Sequence, residues 1–140
     1  MTRNLSWILV PSVVVWLSAA VGIATISASE SLLDGKRFVG QYQEYHKNGM
    51  KDDEIKFQNG TIYSRAYDDE GFAGGAYTAR REKKVIYFDA EMTHASGGNG
   101  RIKWSGVVRG ESIDVDYRWI RKGWFTDTIK YFVFRGTLSR

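Results

Sequence analysis

The chain of 140 residues contains no cysteine, one proline and two histidines. Without cysteine it can form no disulfide framework, and it has no thiolate for catalysis, metal binding or lipid attachment. The one proline is Pro11, so the rest of the chain has no proline to interrupt a β-sheet. The stability of the fold must therefore come from a well-packed hydrophobic core.

The common catalytic motifs are also missing. The sequence has no Gly-x-Ser-x-Gly elbow, no glycine-rich loop leading into a phosphate-binding helix and no His-Glu-x-x-His pair. His46 and His94 lie near the ends of different predicted strands, where histidines are usually surface residues. The acidic clusters at 52–54, 68–70 and 114–116 lack the spacing of a calcium-binding loop. We therefore predict that the protein is not an enzyme and has no metal site and no cofactor.

The first 28 residues have the composition of an export signal. Arg3 precedes an apolar run from about Leu5 to Ile26 that carries no charge, and the small residues 27–29 follow. A basic start, an apolar middle and a small-residue exit are typical of a secretory signal peptide. We expect cleavage near Ala28 and a periplasmic or secreted protein. An uncleaved membrane anchor is the alternative, because about 20 apolar residues can also span a bilayer.

The remaining chain, residues 29–140, has the length of a single domain. Its apolar residues alternate with polar ones, a period of two that predicts half-buried strands rather than helices. In ESIDVDYRW, Ile113, Val115 and Tyr117 fall on one face, and Asp114 and Asp116 fall on the other. Turns rich in Asn and Gly separate these runs. The pattern predicts eight strands, at 37–46, 51–58, 61–68, 75–82, 85–94, 101–109, 112–120 and 128–138.

Eight sequential strands joined by short turns predict an all-β, up-and-down antiparallel meander. Closing the meander into a small barrel would remove both exposed sheet edges, and a two-layer β-sandwich is the alternative. The interior of an eight-stranded barrel is just wide enough to be filled by side chains or to hold one small ligand. The sequence does not decide between a filled interior and one that holds a ligand. We expect a monomer.

Four segments carry a resemblance to known proteins: LDGKRFVGQY, DDEGFAGGAYTA, GRIKWSGVVRGESIDVDYRWIRKGW and YFVFRGTL. They span most of the chain after the N-terminal segment and resemble a group of small exported bacterial proteins with a calycin-like or lipocalin-like β-barrel. The resemblance implies the same closed barrel. The Gly-x-Trp opening of lipocalins in the narrow sense is missing, because Gly35 is followed by Lys36, Arg37 and Phe38.

The aromatic residues lead to the main functional hypothesis, a non-catalytic exported barrel that binds a small apolar or amphipathic ligand. The predicted ligand contacts inside the barrel are Phe88, Trp104, Tyr117 and Trp119. Three further aromatics are expected to fold over the mouth of the barrel. Phe72 lies in a glycine-rich connection, and Trp124 and Phe125 lie in the turn before the last strand, where Gly123 would let the chain fold back.

An uneven distribution of charge leads to the alternative function. Residues 29–100 contain 10 Lys and Arg against 12 Asp and Glu, whereas residues 101–140 contain 9 against 4. A basic C-terminal half predicts a filled-core module that contacts anionic glycan, lipid or protein surfaces of the cell envelope. We expect no nucleic-acid partner, and membrane attachment through the N-terminal segment only if that segment is uncleaved. The predicted anionic-surface contacts are Arg101, Lys103, Arg121 and Lys122.

Overall fold

The computed structural model describes residues 32–98 and 100–140. The predicted signal peptide or anchor at 1–28 lies outside this part. The chain forms eight antiparallel strands that close into a barrel in sequence order, so the predicted all-β meander and its closure are confirmed. The strands are β1 (Arg37–Glu44), β2 (Lys51–Gln58), β3 (Thr61–Ser64), β4 (Gly75–Glu82), β5 (Val85–Thr93), β6 (Arg101–Arg109), β7 (Ser112–Arg121) and β8 (Thr128–Leu138).

The two ends of the barrel differ in the length of their connections. At one end, which we call the turn end, short turns at 59–60, 83–84 and 110–111 join the strands, and the chain enters β1 there. At the other end, the loop end, the connections are longer, as between β5 and β6 and between β7 and β8. Because successive strands of a meander run in opposite directions, every connection after an odd-numbered strand lies at the loop end.

A one-turn helix, α1 (Arg65–Asp68), replaces the second half of the strand predicted at 61–68. The hydroxyl of Ser64 accepts a hydrogen bond from Tyr67 N and so caps the helix. The same hydroxyl donates to the Asp53 carboxylate at 2.6 Å, and Ala66 N also donates to that carboxylate, at 2.9 Å. Side chains from β2 and β3 thus turn the backbone out of the sheet. Within the described ranges, no helix has the length and apolar character needed to cross a membrane.

The barrel closes where β1 pairs with β8, and two glycines face each other at this seam. Gly40 lies directly opposite Gly136 in the antiparallel register. A Cβ atom at Gly40 would clash with the carbonyl oxygen of Arg135 and with the Gly136 backbone. The first and last strands can therefore approach closely only because both positions lack a side chain.

Candidate functional site

Aromatic side chains fill the barrel axis. Phe88, Trp104 and Tyr117 are at most 3% exposed and belong to the hydrophobic core. The rings of Trp104 and Tyr117 stack with centroids 4.2 Å apart, and Phe88 meets the ring of Phe57 edge-on at 5.1 Å. These three predicted ligand contacts therefore pack against other core aromatics, in agreement with the filled-core alternative for the interior.

The polar groups of this core remain neutral. The hydroxyl of Tyr67 donates a hydrogen bond to that of Tyr117 at 3.2 Å. Burial raises the pKa of both tyrosines well above the usual value near 10. Trp104 Nε1 is buried without a hydrogen-bond partner among the described residues. Both hydroxyls therefore keep their protons at neutral pH.

The fourth predicted ligand contact, Trp119, lies at an opening. It is half-buried at the loop end, beside a shallow pocket of about 220 Å³. The Lys130 ammonium lies 5.5 Å from the centre of the Trp119 ring. Phe72, also predicted at this mouth, is buried there against Tyr67, with ring centroids 5.8 Å apart. The other residues lining the pocket are Tyr42, Glu44, Lys51, Tyr67, Glu70, Lys130 and Phe132.

Trp124 and Phe125 do not fold over the barrel, so this part of the prediction is wrong. Their side chains are 94% and 92% exposed. The reason is strand length: β8 pairs with β7 from Thr128 onward, but its ladder with β1 begins only at Phe132, opposite Glu44. The β7–β8 hairpin therefore extends beyond β1 at the loop end. Residues 122–127, which we call the hairpin tip, project from it.

The hairpin tip closes on its own backbone. A Cβ atom at Gly123 would clash with the carbonyl oxygen of Thr126, so glycine is needed for the tight path of the loop. The two aromatic side chains contribute nothing to the core and remain on the surface. Gly123 thus shapes the loop, as the sequence suggests, but it directs the aromatics toward solvent.

Unpaired cations surround the hairpin tip. Arg121, Lys122 and Lys130 are exposed, and none of them forms an ion pair within the part of the chain that the structure describes. Arg101, another predicted anionic-surface contact, lies at the start of β6 opposite Ile120, at the same end of the barrel. Lys103 lies further down the outer wall, 4.0 Å from the Glu91 carboxylate. Three of the four predicted contacts therefore lie near the tip.

A larger concave surface lies on the outer wall and is not predicted from the sequence. This outer groove has a volume of about 870 Å³ and crosses strands β4 to β8. Its floor is a row of short side chains that are neighbours in the strand register: Thr78, Asp89, Ser105 and Asp116. Longer side chains border the floor, namely Tyr45, His46, Glu91, Lys103, Arg118 and Tyr131.

No protein-family model, curated protein or solved structure matches the chain. The calycin-like relationship therefore stays a prediction. Over residues 32–98 and 100–140, no three His, Asp or Glu side chains are grouped closely enough to hold a metal ion.

Proposed function

We propose that the protein is an exported, non-catalytic interaction module that docks on an anionic lipid surface through its hairpin tip. The observation that carries this proposal is the near-complete exposure of Trp124 and Phe125 among unpaired cations. Adjacent exposed aromatics on a projecting hairpin mark an interaction site rather than ordinary surface. Tryptophan is enriched where a membrane meets water, and basic residues next to such aromatics attract anionic headgroups.

Two contributions support docking at the tip. Burying the Phe125 side chain in the interface would contribute about 1.5–3 kcal/mol, and Trp124 adds a larger apolar surface. Arg121, Lys122 and Lys130 would each contribute about 1 kcal/mol near an anionic surface. This combination favours reversible attachment that weakens as salt screens the charges. The filled interior also favours an interaction module over a carrier of a ligand inside the barrel.

The test is co-sedimentation with vesicles of phosphatidylcholine, with and without phosphatidylglycerol. The chain from Ser29, the expected start of the mature protein, is used once a cooperative thermal transition shows that it folds. We expect binding to the anionic vesicles that weakens with salt. Trp124→Ala with Phe125→Ala should reduce the affinity about tenfold or more, which corresponds to about 1.4 kcal/mol. The melting temperature should stay unchanged, because neither side chain is in the core.

Charge reversal at opposite ends of the barrel gives a matched control. Arg121→Glu with Lys122→Glu should abolish binding to anionic vesicles. Lys83→Glu with Lys84→Glu makes the same change in net charge at the turn end and should leave most of the binding intact. Equal losses in the two variants would show that only net charge matters, and the proposed docking site would be rejected. Binding unchanged in the Trp124 and Phe125 variant would reject it as well.

A further inference from the structure

The outer groove has the form of a ligand site and lies apart from the hairpin tip. At about 870 Å³ it falls within the range of small-molecule pockets, about 300–1,000 Å³. The groove exists because Ala76, Thr78 and Ser105 are short, whereas residues along its border are long. No residue of the tip lines it.

The strand pairing fixes one wall of the groove. Tyr45, just after β1, donates its backbone N–H to the carbonyl of Tyr131 at 2.8 Å. Its hydroxyl donates to Asp116 Oδ1 across β8, at 3.1 Å. The rings of Tyr45 and Tyr131 stay 48% and 52% exposed. Two aromatic surfaces are thus open to solvent beside the polar floor, and Tyr45 is held in place before any ligand arrives.

The floor and border offer both hydrogen-bond acceptors and donors. Asp89 and Asp116 flank the Ser105 hydroxyl in one cross-strand row. Asp89 has no side-chain hydrogen bond or ion pair in the described part of the chain, and the same is true of the Arg118 guanidinium. The groove therefore presents a free carboxylate and a free guanidinium close to aromatic surfaces.

This composition discriminates between classes of ligand. A hydrocarbon chain would find apolar surface in the groove, but it would also remove the carboxylates from water without replacing their hydrogen bonds, which is costly. The three carboxylates of the lining outnumber its two cations, Lys103 and Arg118, so an anion would gain little attraction there. A neutral sugar avoids both disadvantages, because its hydroxyls can donate to carboxylates and accept from Arg118 while its C–H face packs on a tyrosine ring. We infer that the outer groove binds a neutral oligosaccharide, with Asp89, Arg118, Tyr45 and Tyr131 as the contacts.

The experiment titrates the whole chain with neutral oligosaccharides. The protein is purified in a zwitterionic detergent without a sugar headgroup, so that the detergent does not compete. The probes are cellohexaose, maltohexaose and the hexamer of N-acetylglucosamine, and binding is followed by isothermal calorimetry. We expect at least one probe to bind with an affinity that changes little with salt, because the ligand is uncharged.

Variants within one wall of the barrel locate the site. Asp89→Asn and Tyr131→Ala should each weaken binding about tenfold or more. The matched controls are Asp114→Asn and Tyr87→Ala, which change the same residue types on the outer wall beyond the groove lining and should bind normally. Trp124→Ala with Phe125→Ala should also bind the sugar normally, so the two proposed sites can fail independently.

Three outcomes would overturn the inference. The first is that none of the three oligosaccharides binds. The second is that binding persists in both groove variants, which would place the sugar elsewhere. The third is that the groove instead binds spermidine, with an affinity that falls steeply with salt and depends on Asp89. That result would make the groove a cation site.

Discussion

The Asp53 carboxylate is buried in the barrel wall, where it holds the first turn of α1. Burial raises its pKa above the ordinary value near 3.8, and the hydrogen bonds from Ser64 Oγ and Ala66 N oppose this effect without cancelling it. The folded state therefore holds this proton more tightly than the unfolded state does. The contribution of Asp53 to stability is greatest below the unfolded pKa and falls as pH rises through the folded value.

Asp53→Asn tests this linkage at a single residue. Asparagine keeps the shape, can accept from Ala66 N and can donate to Ser64 Oγ, but it cannot ionise. We expect the free energy of unfolding of the variant, relative to wild type, to increase as pH rises from about 3.9 through the raised folded pKa. Chemical denaturation across this pH range measures the difference in the free energy of unfolding. The exposed Asp52→Asn is the control, and a difference between Asp53→Asn and wild type that stayed constant with pH would contradict the assignment.

At the scale of elements, the strands could be predicted because alternation is a local property. Tyr117 alternates with polar neighbours whatever the rest of the chain does, and the strand bounds agree with the structure to within two residues, except at the end of β3. Strand β3 ends early because the Ser64 hydroxyl donates a hydrogen bond to Asp53, which lies 11 residues earlier in the chain. No periodicity within 61–68 carries this information, so α1 could not be predicted.

The candidate sites depend on the register between neighbouring strands, which the sequence pattern does not give, so they could be predicted less well. The alternation identifies Asp89 and Asp116 as outward-facing, but only the register places both beside Ser105 and creates a groove. The exposure of Trp124 follows from the different points at which β8 begins to pair with β7 and with β1. Core aromatics such as Phe88 were correctly placed inside, but whether they enclose a cavity depends on how the rings pack.

Closure of the barrel depends on the glycine pair between β1 and β8. Gly40→Ala would push a methyl group into the backbone of β8, so we expect a loss of about 2 kcal/mol or more in the free energy of unfolding. Gly98→Ala, where an added Cβ meets no atom within 4 Å, should change it by no more than about 0.5 kcal/mol. Denaturant titration compares the two. Equal stabilities would show that the seam can adjust and that the close approach of β1 and β8 is not required.

At the scale of the whole molecule, the entry of the chain and the hairpin tip lie at opposite ends of the barrel. Strands β7 and β8 have 10 and 11 residues and, tilted as in small barrels, give the barrel a height of roughly 25 Å on this side. The five residues 27–31 can span at most about 18 Å, whatever their conformation. A membrane anchor at 5–26 would therefore keep the tip of an upright barrel away from the bilayer that holds the anchor. The proposed docking of the tip on that bilayer would therefore require that the N-terminal segment be removed.

Because of this geometry, cleavage of the N-terminal segment tests whether the hairpin tip can attach the protein to the membrane. We expect the protein recovered from the envelope of an expressing bacterium to begin near Ser29, because the small residues 27–29 follow the apolar run. Intact mass spectrometry of the soluble and membrane fractions measures the N-terminus directly. Because only the tip would then hold the processed protein on the membrane, a high-salt wash should release it, and Arg121→Glu with Lys122→Glu should shift it to the soluble fraction. Recovery of the uncut chain that only detergent releases would establish an anchor instead, and the tip would then face away from that membrane.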